Sequence, residues 1–210
     1  MRTIYLFVTL LLVSSLGIAQ KNNVQSAAKA IGLTSITAGD GSMVAGIREK
    51  YDELEDAKKY IDLALVHPKT SNSIKMWYYR GRTYLIIHQQ KRKDIDTDAI
   101  RIATESLLKC IRQDERKMLK DSTKVFLMTA AILCFFEGQN KYFDKKYKES
   151  YHLYDLAHEC LEYDSGKDLA RNNVSEKKII LNKYYAANGM GDDQKAKDHL
   201  VKLIDMNYND

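Results

Sequence analysis

Apolar residues recur every three or four positions through most of the chain, and no alternating pattern persists for more than a few residues, so the sequence reads as all-α. The periodic segments predict helices over Ala45–Val66, Ile74–His88, Ala99–Arg112, Thr123–Phe143, Lys145–Tyr163, Val174–Asn188 and Asp193–Met206. Breaks between them carry the expected chemistry. Pro68, the only proline, cannot continue a helical ladder and closes the first of these helices after His67. Asp96 or Thr97, Asp121 or Ser122, Asp144, Asn173 and Asp192 stand where N-caps are needed. Residues 20–43 are polar, rich in Ala, Ser, Thr and Gly, and weakly periodic. They read as a loose leader with at most one short helix near Val24–Ile31.

The first residues follow a different pattern. A basic start at Arg2, an apolar run Ile4–Val13 and a small-residue stretch ending in Gly17-Ile18-Ala19 form a secretory signal peptide, with cleavage expected after Ala19. The run is shorter than the roughly 20 residues a permanent span needs, and no cysteine follows it to carry a lipid anchor. The expectation is a signal peptide at 1–19, a leader at 20–43 and one helical domain at 44–210. After cleavage the chain is not an integral membrane protein, and it works in the periplasm or cell envelope.

A repeat runs through the helices. A small residue is followed four later by a large apolar or aromatic one and seven later by another small or apolar one: Ala57, Ile61, Ala64; Ala103, Leu107, Cys110; Ser150, Tyr154, Ala157; Ala196, Leu200, Leu203. The copies start 46, 47 and 46 residues apart. In "WYYRGRTY", Trp77, Gly81 and Tyr84 add a tryptophan, a glycine four later and a tyrosine seven later; Gly138 and Tyr147 recur in the third copy and Gly191 in the last interhelical turn. Together these resemble the tetratricopeptide repeat of exported bacterial proteins, over about Ala45–Asp210. A standard repeat has about 34 residues, so each unit carries extra loop. Arg80 stands where the family usually has leucine.

The resemblance implies an α-α superhelix of antiparallel helix pairs, a right-handed solenoid. It also implies a concave groove for a protein or peptide partner, whose facing positions would be Tyr78 and Arg82, Phe135 and Gln139, and Leu181 and Tyr185. Arginine's forked donor beside tyrosine suits a peptide carboxylate or acidic side chain. On the last helix, Leu200, Leu203 and Ile204 share a stripe. Either that stripe packs on the preceding helix alone or it rests on something else, such as a second copy in a homodimer through the carboxyl-terminal helix. The chain could equally be the front of a longer array.

Composition adds exclusions. The formal charge of +5, or +4 without Arg2, is mild, and lysines and arginines are interleaved with acids as on solvated helix faces. Nucleic-acid binding is not expected. Among His67, His88, His152, His158 and His199 no pair has a zinc-protease spacing, and His152 and His158 lie on different helix faces. Cys110, Cys134 and Cys160 sit at core-like positions, with one long-range disulfide left open. No phosphate loop or serine elbow occurs. The reading is a non-catalytic, cofactor-free and metal-free interaction scaffold. A helical binder of a small ligand or glycan, marked by an aromatic pocket around Tyr78, Tyr142 or Tyr185, is the alternative, and a hydrolase with an unrecognised site is the next.

Overall fold

The structure, a computed structural model, describes residues 23–32, 35–37, 43–45 and 53–207. The signal peptide, part of the leader and residues 46–52 of the first predicted helix lie outside the described residues. The fold is all-α, apart from one small ribbon. Its elements are α1 (residues 23–30), the antiparallel pair β1 (Ser35–Thr37) and β2 (Met43–Ala45), α2 (Leu54–Val66), α3 (Ile74–Gln89), α4 (Ala99–Gln113), α5 (Lys120–Phe143) and α6 (Tyr147–Cys160). After a 3₁₀ turn at Leu161–Tyr163 come α7 (Asp168–Arg171), α8 (Glu176–Gly189) and α9 (Asp193–Asp205). No helix among the described residues is long and apolar enough to cross a membrane.

The chain divides into two compact units, Met1–Ala99 and Ile100–Asp210. Nothing in the sequence marks this boundary, which falls on the first residue of α4. In the first unit α2 packs on α3. In the second, α5 packs on α6, α6 on α8 and α8 on α9. The small-large-small positions face the core as the period requires: Ala57, Ile61 and Ala64, then Ala103, Leu107 and Cys110, then Ser150, Tyr154 and Ala157 are all fully buried. The fourth copy departs from the pattern. Ala196 and Leu203 are buried, but Leu200 is 44% exposed and its neighbour His199 turns inward instead.

Helix ends explain most other departures. α2 starts at Leu54, not Ala45, which belongs to β2. Its end is as read: His67, held extended by the following proline, closes it, and the Thr70 hydroxyl donates to the Ala64 carbonyl at 2.5 Å. Asp96 accepts from the Asp98 amide at 2.8 Å in the turn before α4. α5 begins three residues earlier than predicted, without a cap from Asp121 or Ser122. Asp114 reaches forward instead, accepting from the amides of Met118 and Leu119 at 3.0 and 2.7 Å.

Asp144 closes α5 and does not open α6, which spans Tyr147–Cys160 only. The segment read as a plain break after it holds α7, and Asp164 caps α7 by accepting from Asp168 and Leu169. The two loops are copies: Cys110, Asp114, Lys117 and Leu119 correspond to Cys160, Asp164, Lys167 and Leu169, and both lysines are left-handed, at φ 55 and 56. α8 starts at Glu176, capped by Ser175 accepting from the Lys178 amide, while Asn173 occupies a left-handed turn. Asp192 caps α9 as expected.

Candidate functional site

Within the second unit, α5, α6 and α8 enclose an open pocket of about 350 Å³ lined by Gln139, Tyr142, Phe143, Tyr154, Asn182 and Tyr185. Its existence depends on small residues. A Cβ on Gly138 would lie 2.7 Å from the Tyr154 ring, so glycine lets that ring pack flat against α5. Ser150 ties α6 to the same turn by donating to the Gly138 carbonyl at 2.8 Å. One layer along, a Cβ on Gly189 would meet the Tyr147 ring at 2.6 Å, which brings α8 against the start of α6.

Aromatic rings then build the walls. Tyr142 stands 5.3 Å from Tyr147 and 6.5 Å from Tyr185 between centroids, and Tyr154 packs 5.7 Å from Phe135. These tilted arrangements suit ring quadrupoles. The Tyr154 hydroxyl donates to Asn182 Oδ1 at 3.2 Å, and Asn182 Nδ2 donates to the Lys178 carbonyl at 2.8 Å. Burial pushes the Tyr154 phenol up to about 12, so it stays a neutral donor at any working pH. Every lining side chain is thus uncharged: four rings and two primary amides.

The six groove positions separate. Gln139 and Tyr185 line this pocket together, from different helices. Phe135 is buried behind it against Tyr154, so it supports the wall and does not face a ligand. Leu181 is half-buried and outside the lining, while its neighbour Asn182 is inside. In the first unit Tyr78 is buried, and the Arg82 guanidinium donates to its hydroxyl at 3.5 Å. Arg80 also finds its reason there. It lies 3.5 Å from Asp62 and 4.8 Å from the Tyr84 ring centroid, and the Tyr84 hydroxyl donates to both Asp62 oxygens at 2.9 and 2.7 Å. Trp77, Gly81 and Tyr84 are buried as the repeat reading requires, and Gly191, at φ +72, makes the turn between α8 and α9.

Two polar groupings had no grouped signal in the sequence. On α4 and α6, Glu105, Arg112, His152 and Glu159 rim an open depression of about 500 Å³. They are spent on one another: His152 lies 3.1 Å from Glu105, and Arg112 donates to Glu159 at 2.7 Å. Between α6, α8 and α9, Lys183 pairs with Asp155 at 2.6 Å and Tyr151 meets His199 Nε2 at 2.8 Å. Burial, helped by Lys183 and Lys202, lowers the His199 imidazole to about 4.

The thiols of Cys110, Cys134 and Cys160 are free and buried. Burial raises Cys110 to about 11 and Cys160 well above the usual thiol range. Among the described residues no three His, Cys, Asp or Glu side chains converge on a metal site. Compared with known proteins, the chain matches no family model, and no curated protein or solved structure is significantly similar to it. The repeat resemblance therefore rests on the residues alone.

Proposed function

We propose that the protein is a non-catalytic, tetratricopeptide-like interaction module of the cell envelope, which holds an uncharged segment of a protein partner in the aromatic pocket of its second unit. The observation that supports this most is the lining itself. Rings from three helices flank an opening lined by the amides of Gln139 and Asn182, the groups that pair with an extended backbone, while Tyr142, Phe143 and Tyr185 offer faces for an apolar or prolyl side chain. Gln139 and Tyr185 are also groove positions of the family resembled. A carboxylate-clamping role for Arg82 draws less support, because that side chain already donates to Tyr78.

The same rings and amides support a second reading, a glycan or other small neutral ligand, since sugar rings stack on aromatic faces and their hydroxyls pair with amides. Affinity capture by the exported chain from an envelope extract tests the first reading, with Tyr185→Asp as its matched control. Specific protein partners lost in Tyr185→Asp uphold it. A folded protein that retains no partner but is stabilised against heat by neutral oligosaccharides transfers the pocket to the second reading.

A further inference from the structure

α5 is apolar on two opposite faces. The face toward the core carries Leu127, Ala131, Cys134 and Gly138, all buried. The opposite face carries Val125, Thr129, Ile132, Phe136, Gln139 and Phe143, spaced by four, three, four, three and four residues, which at 100° per residue keeps all six within about 40° of one line. Val125, Phe136 and Phe143 are 64%, 45% and 78% exposed, and Thr129, Ile132 and Gln139 are half-buried. Residues 125–136 contain no charged side chain. The Thr129 hydroxyl donates back to the Val125 carbonyl, which spends its polarity within the helix. A helix this apolar all round is either buried or covered by a partner.

The order of residues indicates what that partner is. The spacing reads the same from either end, as the seam of two helices packed at a small angle requires. Turned end for end about position 134, the face meets itself in matched layers: Val125 against Phe143, Thr129 against Gln139, and Ile132 against Phe136. Small or medium apolar residues oppose large ones, and polar opposes polar. That is the self-complementarity of an isologous two-fold contact. Leu200, Val201 and Ile204 on α9 are also exposed, but they cover barely more than one turn and have no such order.

We propose that two copies of this chain pair antiparallel through the outer faces of α5. The three most exposed residues supply on the order of 350 Å² of apolar surface per copy, below the roughly 800 Å² per partner of tight complexes. The pairing is therefore expected to be weak and concentration-dependent. The seam shares Gln139 and Phe143 with the pocket, so pairing and occupancy of the pocket compete, whereas Val125 and Phe136 lie outside the pocket and bear on the seam alone.

Sedimentation of the purified chain from about 1 to 100 µM should follow a monomer–dimer equilibrium, and Phe136→Glu should weaken it at least tenfold while circular dichroism stays native. The register has its own test. In the proposed pairing position 129 faces the partner's position 139, whereas the two copies of position 129 lie about 15 Å apart, beyond disulfide reach. On mild oxidation the double variant Thr129→Cys with Gln139→Cys should give a covalent dimer and each single variant should not, the native thiols being buried. A natively folded chain that stays monomeric to 100 µM overturns the proposal, as does cross-linking of the single Thr129→Cys variant to the same extent as the double. Loss of partner capture in Tyr185→Asp with the dimer intact bears only on the pocket.

Discussion

The two units each bury a tyrosine between helices and satisfy its hydroxyl in different ways. Around Tyr84 in the first unit, charge is gathered: the single phenol proton is shared between the two Asp62 oxygens, and Arg80 and Lys58 stand beside that carboxylate. Around Tyr154 on α6 in the second unit, the hydroxyl meets an amide, and the space beside it stays open and uncharged. A buried ring with an ionic partner makes a closed, self-satisfied joint. A buried ring with an amide partner leaves neighbouring rings available. The contrast explains why the groove carry-over finds its pocket in the second unit and a closed cluster in the first.

The sharpest way to break the second joint is Gly138→Val. With Tyr154 already 2.7 Å from where a Cβ would stand, the ring has to leave its place, at a cost of about 3 kcal/mol from overpacking. The unfolding midpoint in urea followed by circular dichroism should fall accordingly, and partner capture should be lost. The fluorescence of Trp77, the only tryptophan, reports the first unit and gives the reference.

Acid should weaken the second unit next. His199 faces Tyr151 and Asp155 from α6, Lys183 from α8, and Asp198 and Lys202 along α9, with Lys195 over the Tyr151 ring. Its folded pKa of about 4 lies below the ordinary 6.5, so between those values the unfolded chain binds a proton that the folded chain refuses. Stability is full above about pH 6.5 and declines as pH falls toward 4, by on the order of 1–3 kcal/mol. His199→Gln should flatten that slope in chemical-denaturation curves taken across this range.

The smallest effects compare the two tyrosines directly. Tyr84→Phe removes a hydrogen bond to a carboxylate and should cost about 2 kcal/mol, whereas Tyr154→Phe removes a neutral bond and should cost about 1 kcal/mol. Equal costs in denaturant titration would erase the distinction drawn between the joints.

The helices and the inward faces of three repeat copies were legible because packing enforces a 3.6-residue period whatever the partner. The fourth copy was not. His199 gains Tyr151 as a partner and turns inward, and Leu200 is left at the surface. The loops were misread for a similar reason: Asp114 and Asp164 cap from four and five residues away, through left-handed lysines, and rules that look for a cap at the helix border pass over them. Their recurrence 50 residues apart was the available signal. For the pocket, family register reached Gln139 and Tyr185, while Asn182 and Phe143 lie one place beyond a groove position or its next turn. Arg80 was unexplained until its distant partner Asp62 appeared on α2.

The decisive measurement is partner capture by two charge variants in parallel, Tyr185→Asp in the second unit and Arg82→Glu in the first, each verified as folded. The expected result is retention by Arg82→Glu and loss by Tyr185→Asp. Retention by Tyr185→Asp with loss in Arg82→Glu would contradict it and place binding in the first unit.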